Sequence, residues 1–218
     1  DNSQDGTDQV IREKYPDVHL IALSENVGAA AARNQGIAVS KGHFIAFLDS
    51  DDLWERGHLR SQMRLLNSKT VTDTQLFFGV SDVFIWETVK DIRYKKSQKP
   101  KLQYSSVLHQ LLAGGSFIST PSAVIFPKHV LDAVGVFDKN IRLAEDTDLY
   151  TRAILKGFEP AFTEHASVIR RKHDSGQAMT IKNIELRIKN RLDALQKYYP
   201  LAKQKLGNVK QRQIHSEI

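Results

Sequence analysis

Two sets of carboxylates stand where acid–base or metal chemistry is feasible. "FLDSDD" (47–52) puts Asp49, Ser50, Asp51 and Asp52 directly behind an apolar run. In open α/β sheets ligands bind beyond the carboxyl ends of the strands, so acids in that position meet substrate. Hard divalent cations take oxygen ligands, and Mg²⁺ in particular uses only one or two carboxylates beside substrate phosphates. A residue at the strand end and the residue two later can point to one side, one for a ribose and one for a metal. The same segment also suits a polar turn in which Asp51 or Asp52 caps a helix from about residue 55. The second set is Glu145 and Asp146 in "AEDTDLYTRA" (144–153), ahead of a run with helical apolar spacing. Acidic residues favour a helix N-terminus electrostatically, and a carboxylate held there also fits a general base. Those ten residues alone leave both readings open.

Other candidates are weaker taken singly. "DNSQDGT" (1–7) is a turn whose Asp and Ser side chains bond local backbone. "NVGAAAARNQG" (26–36) sets Arg33 in a run of small residues, where an arginine is most often a surface or ion-pair residue. His173 follows the basic "IRRK" (169–172), and none of the eight histidines forms a spaced metal pair. The P-loop, G-x-G-x-x-G, H-E-x-x-H and G-x-S-x-G signatures are absent. With no cysteine, disulfides, zinc–thiolate sites and thiol nucleophiles are excluded. The formal charge of +6 is concentrated in "RYKKSQKPK" (93–101), "RRK" (170–172) and "KQKLGNVKQR" (203–212). Those stretches read as a solvated basic face, or as sites for ligand phosphates or anionic lipid headgroups. No nucleic-acid-binding motif accompanies them, so nucleic acid is not an expected partner.

The elements that must position these residues alternate along the first half. Residues 5–15 read as a short helix, "VHLIAL" (18–23) as a buried strand, 27–42 as a helix stopping at Gly42, and "HFIAFL" (43–48) as the next strand. A helix over 55–67 follows, with Leu59, Met63 and Leu66 on one face. Units of this length imply parallel pairing in an α/β sheet. Further on, 75–89 reads as one or two strands, 96–101 as an exposed loop, 105–115 as a helix and 117–126 as a strand. A helix over 147–157, with Leu149, Ala153 and Ile154 inward and Gly157 as its stop, leads to a long amphipathic helix over 179–199. No apolar stretch is long enough to span a membrane.

Read in order, these segments form a pattern. "DNSQDGT", "NVGAAAARNQG", "FLDSDD", "GVFDKNIRLAEDTDLYTRA" and a basic stretch with His173 resemble the family 2-type glycosyltransferases of GT-A fold. The resemblance spans residues 1 to about 175 and implies an α/β fold with one Rossmann-like, mostly parallel twisted sheet flanked by helices. It also implies a GT-A domain over 1–175, with a nucleotide-sugar half over 1–55 and an acceptor half over 56–175. A helical extension over 176–218 follows. The implied activity is transfer of a sugar from a nucleotide-diphosphate sugar, a UDP-sugar first among donors, to an acceptor hydroxyl with inversion. By the same resemblance Asp1 contacts the nucleobase, Arg33 lies on the nucleotide side, Asp49 is near the ribose, and Asp51 with His173 serves Mn²⁺ or Mg²⁺. Asp146 matches the general base and Glu145 its acceptor-orienting neighbour, while "AGGSFISTPS" (113–122) matches the acceptor-side segment. Asp148 is left as structural.

In that family a strand ending in a P-x-Y-N-like segment, a helix and another strand precede the position of Asp1. Nothing precedes it here, which implies a longer parent protein. A glycan or lipid-linked acceptor is the setting the resemblance implies, with cytoplasmic placement; the basic tail suits peripheral contact with the inner face of an anionic membrane, a solvated helix or a link to a partner subunit. The competing readings are a sugar-phosphate nucleotidyltransferase and a catalytically silent nucleotide- or glycan-binding module.

Overall fold

The computed structural model describes residues 1–68, 77–96, 98–101, 103–104, 106–172 and 184–206 of the 218-residue chain. Its elements are α1 (Thr7–Lys14), α2 (Ala29–Val39), β1 (Phe44–Ala46), β2 (Asp52–Trp54), α3 (His58–Ser68), β3 (Phe77–Glu87) and β4 (Ile92–Lys96). They continue with α4 (Val107–His109), which runs into a π turn at Gln110–Gly114, and a 3₁₀ turn at Pro121–Ala123. Next come β5 (Val124–Pro127), α5 (Lys128–Val134), α6 (Glu145–Lys156), β6 (Glu159–Lys172) and α7 (Ile184–Leu206).

The sheet runs β1-β5-β3-β6-β2, with β4 paired to the outer half of β3. The fold is the expected α/β arrangement of a sheet flanked by helices, but its pairing differs in detail from a mostly parallel sheet. Among the described strands only β3 and β6 run parallel, from Phe77↔Glu159 to Glu87↔Lys172. The β1–β5, β2–β6, β3–β4 and β3–β5 pairs are antiparallel. "VHLIAL" forms no strand. Its apolar residues are compatible with one, yet a strand exists only where a neighbour completes the ladder, and Val18 is exposed. The "DSDD" turn hides the short strand β2, too brief for periodicity to reveal.

β3 is rich in β-branched and aromatic residues that fit a pleated surface, and β6 is long because it pairs with β3 from end to end. One face of β3 and β5 packs on α6: the rings of Phe78, Phe126 and Tyr150 lie 5.0–6.2 Å apart. Leu149, Ala153 and Ile154 point inward as their spacing predicts, and Gly157 ends α6 at φ 107°. α7 docks on this core through Tyr198 and Ala202. Asp148, buried in α6, ties the two helices: it accepts from the Tyr198 hydroxyl, pairs with Arg152 at 2.8 Å and lies 3.6 Å from Lys197 Nζ. Asp148 is structural, as expected.

On the other face α3 closes over β3 at a point without slack. A Cβ added at Gly79 would sit 2.3 Å from Gln62 Oε1, and Gln62 is wholly buried with its Nε2 donating to the Ala123 carbonyl at 3.0 Å. Gly79→Ala must therefore displace an interior amide. We expect it to destabilise by about 1–3 kcal/mol, as overpacking does, read as a lower urea midpoint. An unchanged midpoint would show that the α3–β3 contact yields freely.

Candidate active site

The site is built where the ends of β1, α2 and α6 converge. Gly28, at φ 84°, opens α2, and the carboxylate of Asp1 accepts from the amides of Val27 at 2.8 Å and Gly28 at 2.9 Å. Asp1 thus engages both its oxygens with backbone N–H groups at the start of the helix. One turn further on, the small side chains of the alanine run let Arg33 approach the sheet. Its guanidinium donates to Asp49 Oδ1 at 2.7 Å and to Glu145 Oε1 at 2.8 Å. The side chain of Arg33 is only 17% exposed, and its guanidinium lies 5.5 Å from the centre of the Phe137 ring. Burial alone works against the charge, but Asp49 and Glu145 outweigh it and hold the guanidinium above its ordinary pKa.

Asn34, next to Arg33, was not singled out by the sequence. Its amide pairs with the backbone of Phe137 in both directions, Nδ2 to the carbonyl at 2.8 Å and Oδ1 from the amide at 3.0 Å. That clamp holds the "GVFD" segment against α2 and so fixes the approach to α6. The helix starts abruptly: Ala144 has φ 65°, a left-handed conformation that costs a non-glycine residue about 1 kcal/mol or more. Glu145 and Asp146 follow at once in the first turn.

Asp146 keeps some accessible surface yet is surrounded by protein. Burial, then the neighbouring Glu145 charge, push its carboxyl up to about 6, against the opposing pull of the Thr147 amide at 2.6 Å and of Arg33. Near neutrality it is ionised but not far from its proton. This is the poise expected of a general base.

The "DSDD" turn is held from two sides. Thr120 Oγ1 lies 2.7 Å from Asp52 Oδ2, 3.3 Å from Asp49 Oδ2 and 3.2 Å from Ser122 Oγ, while the Asp49 amide donates to Ser122 Oγ at 2.9 Å. Trp54 Nε1 donates to the Ser122 carbonyl at 2.8 Å. Asp52 is the buried member, and burial raises its carboxyl despite hydrogen bonds from Ser122 and Thr120. From the opposite side Arg171 Nε donates to the Asp51 carbonyl at 2.6 Å and its Nη2 to the Ser50 carbonyl at 3.3 Å. The basic stretch 170–172 therefore reaches the acidic turn, because β6 pairs with β2.

Asp51 itself points outward, and its carboxylate takes no hydrogen bond or ion pair from a described residue. No group of three or more His, Cys, Asp or Glu able to hold a metal occurs among the described residues. A free, exposed carboxylate at a strand end, with Asp49 beside it, still fits a hard cation that takes most of its oxygens from water and phosphate. His173 lies outside the described residues. The structure thus brings Arg33, Asp49, Glu145 and Asp146 together, keeps Asp51 two residues away on the same turn, and leaves Asp1 at the far end of the α2 turn. Two cavities, of about 450 and 340 Å³, lie around the C-terminal end of α6, at Leu155, Lys156, Gly157 and Lys205. That end is a full helix length from Asp146.

Comparison with known proteins agrees with this architecture. The chain is 26% identical over 188 residues to an uncharacterized glycosyltransferase of Rickettsia typhi, covering 84% of this chain and 56% of that one. It is 30% identical over 179 residues to UDP-Glc:alpha-D-GlcNAc-diphosphoundecaprenol beta-1,3-glucosyltransferase WfaP of Escherichia coli, covering 79% of this chain and 63% of the relative. The chain therefore spans somewhat more than half the length of these relatives. Among solved structures, the mannosyltransferase PcManGT of Pyrobaculum calidifontis, in complex with GDP-Man and Mn²⁺, superposes with a TM-score of 0.60 at 18% identity. That match covers 91% of this chain and 52% of the other, and it shows a shared GT-A fold. Residues 1–135, which carry Asp1, Arg33, the "DSDD" turn and the Thr120–Ser122 segment, match the model for glycosyl transferase family 2, and the chain belongs to that family.

Proposed function

We propose that this chain transfers a sugar from a nucleotide-diphosphate sugar, a UDP-sugar first among donors, to an acceptor hydroxyl with inversion. The observation that carries the reading is the Asp49–Arg33–Glu145 bridge, which ties the strand-end turn suited to a donor to the helix start suited to an acceptor. In the transfer the acceptor oxygen bonds to the anomeric carbon as the bond from that carbon to the phosphate oxygen breaks. The electron pair leaves with the nucleoside diphosphate, and the acceptor proton passes to Asp146. Glu145, fixed by Arg33, orients the acceptor beside it. Asp1 and Arg33 are assigned to the nucleotide side and Asp49 to the ribose. Asp51, and His173 from outside the described residues, would hold Mn²⁺ or Mg²⁺. A bound divalent cation supplies a Lewis acid that stabilises charge on the diphosphate.

This reading divides the chain into a catalytic unit over 1–175, with a donor half (1–55) and an acceptor half (56–175), and a helical extension over 176–218. WfaP, by its name, acts on a lipid diphosphate, which favours a glycan or lipid-linked acceptor here and work at a membrane face. No described helix is long and apolar enough to cross a membrane.

The test is incubation with UDP-, GDP- and dTDP-sugars and Mn²⁺. Release of a nucleoside diphosphate is expected; pyrophosphate would indicate a nucleotidyltransferase, and no release from any donor a silent binding module. Asp51→Ala is expected to weaken metal-dependent binding of the nucleoside diphosphate at least tenfold, since a cation with few protein ligands depends on each. Calorimetry with and without Mn²⁺ reads this, and an unchanged metal-dependent affinity would remove Asp51 as a ligand.

A further inference from the structure

The outer ends of β3, β4 and β6 form a hairpin platform that the transfer chemistry does not use. From Ser81 to Lys101 the sequence holds six Lys or Arg against three Asp or Glu, and Arg170 and Lys172 lie alongside on β6, while Arg171 between them is turned to the "DSDD" turn. Each of the three acids is already engaged. Asp82 pairs with Lys95 at 2.7 Å, Glu87 with Lys172 at 3.2 Å and Lys90 at 3.6 Å, and Asp91 accepts from Trp86 Nε1 at 2.9 Å. The platform is left with net positive charge.

Apolar groups are interleaved with it. Val89, in the turn between β3 and β4, is 69% exposed, and on β4 Ile92 and Tyr94 are 50% and 44% exposed. On the face of β4 opposite Ile92 and Tyr94, the Arg93 guanidinium lies over the Trp86 ring, 4.5 Å from its centre. Lysines on an edge strand also discourage strand addition, but that role needs no exposed valine, isoleucine or tyrosine at the tip.

We infer that the β3–β4 hairpin is the surface by which this chain docks on an anionic lipid bilayer, with Val89 and Ile92 entering the headgroup layer and Lys90, Arg93 and Lys96 meeting lipid phosphates. A soluble polyanion would engage the cations alone; the mixture of exposed apolar and basic side chains matches the layered chemistry of a bilayer surface. Docking would hold the active site at the membrane. Thr88 donates to the Lys172 carbonyl at 3.3 Å, and the next residue on β6, Arg171, grips the "DSDD" turn. The inference deepens the proposed function by naming the face that meets a membrane-borne acceptor. Vesicle binding is read without turnover, so either can fail while the other stands.

The experiment is sedimentation of the full chain with vesicles of phosphatidylcholine alone or with phosphatidylglycerol. Binding is expected only to the anionic vesicles and should weaken as salt rises. The triple variant K90Q/R93Q/K96Q should lose on the order of 100-fold in partitioning, and V89S/I92S should also bind more weakly. Release of nucleoside diphosphate from soluble donor should be unchanged in both. A charge-matched control, K41Q/K139Q/K156Q, should bind as the parent does. Equal loss in the control would reduce the effect to net charge and overturn the assignment. Binding that survives V89S/I92S and is fully displaced by inorganic polyphosphate would make the platform a polyanion site instead.

Discussion

Asp146→Asn is expected to remove nearly all transfer and at the same time make the protein more stable at neutral pH. The kinetic half follows from its assigned role. Without a carboxylate to accept the acceptor proton, turnover should fall by about 10²–10⁴-fold, while donor affinity stays near that of the parent. The stability half follows from where the carboxylate sits. Burial and Glu145 lift its pKa from 3.8 to about 6, so the folded state holds the proton more tightly than the unfolded chain does. The extra stability this gives is complete below the unfolded value. It declines as pH rises from about 4 and is gone above about 6, a change on the order of 2–3 kcal/mol. Asparagine is neutral throughout and still presents an oxygen to the Thr147 amide. Its advantage should therefore appear at about pH 8 and vanish on acidification below about pH 4. Urea unfolding across that range, beside a nucleoside diphosphate release assay, separates the two effects. Near-parental turnover would remove Asp146 as the base, and equal stability at the upper pH would show that the ionised carboxylate is not strained by its site.

How much of this was legible in the sequence depends on whether the signal was local. Gly157 as a helix stop, the inward face of α6 and the strand character of 77–87 follow from spacing and propensity, and the structure has them. The Asp49–Arg33–Glu145 bridge was not legible. It joins residues 16 and 112 positions apart, and neither the alanine run nor the acidic helix start says what an arginine will face. The resemblance puts Arg33 on the nucleotide side, and that expectation is silent on the two carboxylates its guanidinium spans. Thr120 and Asn34 lie inside the quoted segments "AGGSFISTPS" and "NVGAAAARNQG", but a lone Thr or Asn is common in turns and helices alike and neither stands out there. A cue existed for Asp52. Three aspartates in four residues cannot all face solvent once the turn packs against a strand, and one of them must find hydroxyl donors. "VHLIAL" misled because apolar content reports a strand's compatibility with burial but is silent on whether a partner strand stands beside it.

The bridge supplies the second large expectation. Arg33→Met retains length and apolar stem while removing the charge. It leaves Asp49 and Glu145, 29% and 13% exposed, facing a position with no cation. Breaking a buried pair costs about 3–5 kcal/mol when the remaining charge is sealed from water. Partial exposure of both acids lowers that here to about 2–3 kcal/mol at neutral pH. A merely structural arginine would produce only this. Arg33 also holds down the pKa of Asp146, against the upward push of burial and Glu145. Its removal should therefore move the acidic limb of kcat/KM from about 6 toward higher pH and reduce the rate on the acid side most. Arg33→Lys keeps the positive charge but cannot fork between two carboxylates. It should restore the position of the limb while recovering only part of the stability. A pH profile of kcat/KM for the three proteins decides the matter. If Arg33→Met melts early yet keeps the parental limb, the bridge serves the fold alone and the electrostatic link from α2 to the catalytic carboxylate is wrong.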